Sequence, residues 1–225
     1  MELPKISEDL QKRVISAGIL APIVLLIIFT GGSAYNTLIV AVAVIMSFEW
    51  QGIINSGHKE LTLKTRRKWN VTGIAYVTIF ASSLIYLRGL ENGTSIVLLM
   101  LLLVWATDIA AYFTGRILKG PKICTKISPN KTWSGLLGGM VAAGFIGAFA
   151  SIFMDAEFFT FFKMTLLGML FAVISQVGDF FESWVKRQFN VKDSGTLIPG
   201  HGGLMDRLDG FTTVAPVFVL FTLLN

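Results

Sequence analysis

Charged residues cut this sequence into long uncharged runs. None occurs between Val14 and Phe48, a stretch of 35 residues. A membrane crossing needs roughly 20 apolar residues, about 17–25, so that run is too long for one. The break Gly31-Gly32-Ser33-Ala34-Tyr35-Asn36 splits it into a helical hairpin. Trp69–Leu87 supplies 19 uncharged residues and Thr132–Met154 supplies 23. Ser95–Phe113 is apolar apart from Asp108, Phe158–Gly178 apart from Lys163, and Leu208–Leu224 apart from Asp209. The pattern predicts an all-α polytopic membrane protein with about seven transmembrane helices, the first and last of marginal length. Lys12-Arg13 before an apolar run, with Gly32-Ser33-Ala34 beyond, has the outline of a cleaved signal segment. Apolar character resumes within three residues, as in a hairpin, so the first helix is expected to be retained.

Composition agrees. Charged residues make up 15% of the chain, against about 25% in soluble domains, which excludes a soluble enzyme. Hydrophobic residues make up 53%, which argues against disorder. The single cysteine, Cys124, excludes an internal disulfide framework and a Cys-based zinc site.

The net charge of +5 would suit nucleic acid, but its placement says otherwise. With the N-terminus in the cytoplasm, 17 of the 19 basic residues fall in inside segments. Arg88 is left outside, and Lys163 lies within a helix near its outer end. The positive-inside rule then predicts N-terminus in and, with an odd number of crossings, C-terminus out. The basic excess serves topology and contact with anionic lipid, with no nucleic-acid partner. Residues 1–94 are expected to anchor and pack, and 95–225 to carry the chemistry.

Several acids interrupt apolar helices. Asp108 lies about 12 Å of helix rise from Arg116, inside the hydrocarbon unless a wet cavity reaches it. An intramembrane carboxylate is costly, so it is a functional candidate by default. Three more acids lie toward the same side: Asp179, Asp206 and Asp209. Asp179, Glu182, Ser183 and Lys186 follow the spacing of one helix face. A solvated helix end with a Glu182–Lys186 pair is the plainer reading of part of that face.

Converging carboxylates without His or Cys favour Mg²⁺ over zinc. Lys131, Lys186, Arg187, Lys192 and Arg207 stand around them. Acids that hold a metal, ringed by bases that neutralise anionic oxygens, describe a phosphoryl- or nucleotidyl-transfer site. Lys192-Asp193-Ser194-Gly195 to His201-Gly202-Gly203 is a glycine-rich loop between the last two crossings. Its backbone can approach a ligand closely and offer N–H groups to phosphate. His201 is placed to donate to a phosphate oxygen or to orient the loop. Ser128-Pro129-Asn130-Lys131-Thr132 precedes the fifth crossing, where Ser and Lys near a helix N-terminus suit an anion.

The ordered series Ser183, Lys186-Arg187, Lys192-Asp193, Gly195, Pro199, His201-Gly202-Gly203, Asp206-Arg207, Asp209 resembles the signature of phosphatidate cytidylyltransferases, or CDP-diacylglycerol synthases. Asp108, Tyr112 and Gly115-Arg116 also resemble that family, as do Ser128-Pro129, Lys131-Thr132 and Gly135, and Glu49-Trp50. The strong resemblance covers roughly 104–220. Family members are often longer in the N-terminal half, by a helix or two.

The resemblance implies the reaction CTP + phosphatidate → CDP-diacylglycerol + pyrophosphate. It implies Mg²⁺ on Asp179, Asp206 and Asp209, commonly with a second, monovalent cation such as K⁺. Catalytic work is expected of Asp179, Lys186, Lys192, Asp206, Arg207 and Asp209. Substrate contact is expected of Asp108, Ser128, Lys131, Glu182, Ser183, Arg187, Asp193, Gly195, His201, Gly202 and Gly203. The expected location is a bacterial-type inner membrane, with the site facing the cytoplasm.

Two rivals remain at this level. Buried acids and glycine-interrupted helices also occur in secondary transporters, though here the acids gather at one end and no inverted repeat is evident. A related enzyme could use CTP on a polyprenol or another lipid phosphate. Finally, Gly135, Gly139, Ala143, Gly147 and Ser151 form a small-residue face suited to close helix packing, with a homodimer seam as the sharper alternative. Arg66-Arg67-Lys68-Trp69 reads as an interfacial anchor.

Overall fold

The computed structural model describes residues 8–56, 61–152, 158–197 and 202–224, with side chains from 18 onward in the first helix and from 160 onward in the sixth. The described helices are α1 (Glu8–Thr30), α2 (Gly32–Ser56), α3 (Leu63–Gly89), α4 (Gly93–Ile117), α5 (Trp133–Ile152), α6 (Phe158–Gln188) and α7 (Met205–Leu224). Six of them, α2 to α7, are long and apolar enough to cross a membrane. The described apolar part of α1, Gly18–Thr30, is shorter. The chain is a polytopic, essentially all-α membrane protein.

Helix ends depart from the charge boundaries for a simple reason. Charges mark where a helix meets water, not where its hydrogen bonding stops. Thus α3 begins at Leu63, six residues before the uncharged run, because Thr62 caps it by accepting from the Thr65 amide at 3.3 Å. Likewise α6 continues to Gln188. Its 31 residues span about 46 Å, well beyond a hydrocarbon core of about 30 Å. A crossing that starts at Phe158 therefore ends near 178, and the acidic and basic residues beyond it reach the boundary.

The first hairpin turns more tightly than the sequence predicts. Gly31 and Gly32 alone carry the reversal, with φ of 63° and 58°. Arg88 closes it by donating from Nε to the Ile28 carbonyl at 2.8 Å. The basic residue left outside in the charge count thus caps a helix C-terminus.

An element absent from the sequence reading follows α4. Lys119 and Gly120 take positive φ, and a two-stranded antiparallel hairpin forms from β1 (Lys122–Cys124) and β2 (Ser128–Thr132). Its second strand runs straight into α5. There Thr132 accepts from the Gly135 amide at 3.1 Å, so the hairpin supplies the cap of the helix.

The small face of α5 is used within the chain. Gly135 and Gly139 meet α4, and Gly144 and Gly147 meet α6. A Cβ on Gly147 would run into the Met164 carbonyl, and one on Gly168 into that of Ala143. Of the two readings of this face, close intrachain packing is the one realised.

Trp69, expected as an interfacial anchor, turns inward. It packs against Trp50, Trp184 and Phe189 with ring centroids 6.4, 5.8 and 5.1 Å away. Trp50 also donates from Nε1 to the Trp69 carbonyl at 3.0 Å. This cluster ties α2, α3 and the end of α6 together beside the polar residues; Arg66, Arg67 and Lys68 stay exposed.

Candidate active site

The end of α6 and the start of α7 bring one set of charges together. Glu182 is fully buried and Lys186 nearly so. Lys186 donates to Glu182 Oε1 at 3.0 Å, one helical turn back, and also pairs with Asp206 Oδ1 on α7. The expected Glu182–Lys186 pair is therefore buried rather than solvated. Glu182 Oε2 is buried without a hydrogen-bond partner.

Asp206 organises the glycine loop. Its Oδ2 accepts from the Ser194 amide at 2.9 Å, from Ser194 Oγ at 3.0 Å and from the Gly203 amide at 3.1 Å. Gly202 sits at φ +85°, and a Cβ on Gly203 would collide with Ser194 Oγ. Glycine is needed at these two places so that the backbone can close on the carboxylate.

Asp179, one crossing-length along α6, belongs to a second set. It pairs with Lys131 of β2. Asp209, on α7, is an electrostatic neighbour of Asp179. Asp108 on α4 is a further electrostatic neighbour of Asp179 and Lys131, and accepts from Gln176 Nε2 at 3.2 Å. Thr212, one turn beyond Asp209, meets Tyr76 Oη at 2.6 Å, which links this set to α3.

Beside the second set lies a cavity of about 840 Å³. Asp108, Gln176 and Asp179 line it together with Arg116, Lys119 and Lys131. It thus offers cations for phosphate oxygens and carboxylates for a metal or for polar donors. Asp108 is exposed and lines this cavity.

The expected three-carboxylate metal cluster is not assembled. Among the described residues, no three His, Cys, Asp or Glu side chains gather closely enough to hold a metal by themselves. The reason is that Asp206 is committed to Lys186, Ser194 and Gly203, whereas Asp179 and Asp209 are electrostatic neighbours of each other. Magnesium usually takes one or two carboxylates and completes its shell with water and substrate oxygens. The Asp179–Asp209 pair, beside a cavity, fits that requirement.

Other expected residues distribute as follows. Lys192, Asp193 and Arg207 are exposed around the loop and the start of α7. Arg187 is exposed and donates to the Val191 carbonyl at 2.9 Å, shaping the chain after α6. Ser183 is half-buried on α6, and Ser128 half-buried in β2. Gly195 packs against Glu49. His201 lies outside the described residues.

Residues 58–224 match the model of the cytidylyltransferase family. The phosphatidate cytidylyltransferase of Brucella suis biovar 1 (strain 1330) is 36% identical, over 95% of this chain and 93% of its own. That of Rickettsia typhi (strain ATCC VR-144 / Wilmington) is 33% identical, over 96% and 93%. That of Rickettsia felis (strain ATCC VR-1525 / URRWXCal2) is 30% identical, over 99% and 96%. This chain belongs to the cytidylyltransferase family. Every candidate residue above from Asp108 to Asp209 falls within the matched segment of this cytidylyltransferase, whereas Glu49 precedes it.

Sequence reasoning missed two residues of the site. Glu49 entered only as part of the family resemblance, without a role, and Ser194 was passed over within the loop. Glu49 stands at the end of an uncharged run, where an acid reads as a border marker. No local pattern marks its role, because its partners lie 145 to 156 residues away.

Proposed function

We infer that this cytidylyltransferase transfers CMP from CTP to phosphatidate, giving CDP-diacylglycerol and pyrophosphate. The observation that carries the reading is near full-length similarity to phosphatidate cytidylyltransferases, joined to a cavity of mixed charge among membrane helices.

The chemistry follows from charge. The phosphate of phosphatidate is largely ionised near neutral pH, so attack needs neither a strong general base nor a protein nucleophile. A phosphatidate oxygen attacks the α-phosphorus of CTP. The new P–O bond forms as the bond from the α-phosphorus to the bridging oxygen breaks, and that electron pair leaves with pyrophosphate. Lys131, Arg116 and Lys119 bring positive charge to the cavity and would offset anionic oxygens there. Lys192 and Arg207 are further cations for CTP phosphates. Asp108 and Gln176 supply polar groups that orient the nucleotide.

Asp179 and Asp209 are the residues proposed to hold Mg²⁺, whereas Asp206, expected as a third ligand, holds Lys186 and the glycine loop. When bound, the ion would polarise phosphoryl oxygens and offset charge on the leaving group. The proposed topology is seven crossings, N-terminus inside and C-terminus outside, with the site at the cytoplasmic face of an inner membrane. It is supported by the bias of basic residues to one side.

An acceptor panel in detergent tests the substrate. With CTP held fixed, phosphatidate should support turnover at least ~10-fold faster than a polyprenyl phosphate or a diether glycerol phosphate, a preference of about 1.4 kcal/mol. A faster reaction with either alternative would assign the enzyme to that lipid.

A further inference from the structure

Glu49 is a buried carboxylate on α2 whose hydrogen bonds all described above leave unexplained. It is 9% exposed and lies on the buried face of α2, between Met46 and Ile53. Its Oε1 accepts from the Leu204 amide at 2.8 Å. Its Oε2 accepts from the Met205 amide at 2.7 Å and from Ser194 Oγ at 3.1 Å. These partners lie 145 to 156 residues away in sequence.

The geometry is that of a helix cap supplied in trans. The first amides of a helix have no intrahelical acceptor, and negative charge at that end is favourable. Here the carboxylate comes from a helix in the other half of the chain. It seizes the first turn of α7, on which Asp206, Arg207 and Asp209 ride. It also shares Ser194 Oγ with Asp206 Oδ2. The loop around Gly195 and Gly203 packs directly on the Glu49 carboxylate. Trp50, locked among Trp69 and Tyr76, fixes the α2 backbone next to it.

We propose that Glu49 is a positioning residue for the cytidylyl transfer: it sets the register of the glycine loop and of the Asp206–Asp209 turn without touching substrate. The proposal rests on the reaction inferred above. Both carboxylate oxygens accept hydrogen bonds, so an amide cannot replace them; Glu49→Gln turns one acceptor into a donor facing a donor. A shorter Glu49→Asp keeps the charge but retracts it by one methylene. Misplacing reacting groups by about 1 Å can cost on the order of 10²-fold in rate.

The test uses full-length protein in detergent, with Gln51→Ala, exposed on the same helix, as control. Glu49→Gln should lower kcat at least ~10-fold while KM for CTP and for phosphatidate stays within about twofold. Glu49→Asp should recover part of the loss. Hydrogen exchange should quicken at the amides of Ser194, Leu204 and Met205 in Glu49→Gln and stay unchanged in α3 and α4. Should Glu49→Gln fail to insert, Ser194→Ala, which removes only the shared hydroxyl, carries the same readouts with a smaller expected loss. Wild-type kcat together with wild-type protection in these variants would overturn the proposal. Wild-type protein without CTP-dependent lipid product would instead overturn the inferred reaction, while the exchange arm still decides whether Glu49 holds the loop.

Discussion

Lys131 and Asp179 form an ion pair that joins the β-hairpin to the start of the polar end of α6. Both line the cavity. The pair therefore sits where a substrate phosphate would compete for the lysine and a cation would compete for the aspartate. We expect Lys131→Ala to lower kcat/KM for CTP by about 10²-fold, the scale of losing one electrostatic stabiliser. Asp179→Asn should lower turnover similarly and raise the Mg²⁺ concentration at half-maximal rate. A Mg²⁺ titration after EDTA treatment checks both; an unchanged midpoint in Asp179→Asn would remove that residue from the metal site.

Lys186 pairs with both Glu182 and Asp206. Replacing it with Met leaves Glu182, which is fully buried, without its counter-ion. Breaking a buried pair costs about 3–5 kcal/mol. Lys186→Met should thus lower the thermal midpoint in detergent, and Lys186→Met combined with Glu182→Gln should recover much of it. A Lys186→Met protein as stable as wild type would show that the buried charge is compensated elsewhere.

Lys192 and Arg207 are exposed beside the loop and the first turn of α7. Their alanine variants are expected to insert normally and to lose at least ~10-fold in turnover, because each removes a charge that steers anionic substrate. Lys64→Ala, exposed at the start of α3, should keep wild-type turnover. Equal loss in all three would mean that general surface charge matters rather than these positions.

Gly147 and Gly168 let α5 and α6 touch backbone to backbone. Gly147→Leu should destabilise the fold by about 1–3 kcal/mol or more through overpacking, seen as a lower thermal midpoint. If stability were unchanged and only a dimer were lost, the small-residue face would be an intermolecular seam instead.

Topology has its own test. A reporter fused after Asn225 should be active only outside the cytoplasm. Cytoplasmic activity there would mean an even number of crossings and would place the first helix differently.

Much of this was legible in the chain, for identifiable reasons. Uncharged runs place helices because hydrocarbon excludes charge, and they located all six long apolar helices. The Asp179, Asp206 and Asp209 positions stood out because acids are costly at apolar boundaries. Their grouping was not legible. Which donor Asp206 meets depends on how the Ser194–Gly203 loop closes, and no local periodicity records that. The β-hairpin was missed because strands of three and five residues leave almost no pattern. Glu49 was given no role because its partners lie across the chain, where spacing carries no information.

The central claim is that CMP, not phosphate, moves from CTP to the lipid phosphate. The most direct measurement incubates purified protein and phosphatidate with CTP labelled either at the α- or at the γ-phosphorus. The account predicts α-label in the lipid and γ-label in pyrophosphate, in equal amounts and only when Mg²⁺ is present. γ-Label in the lipid, or α-label released as CMP or CDP with none in the lipid, would contradict it.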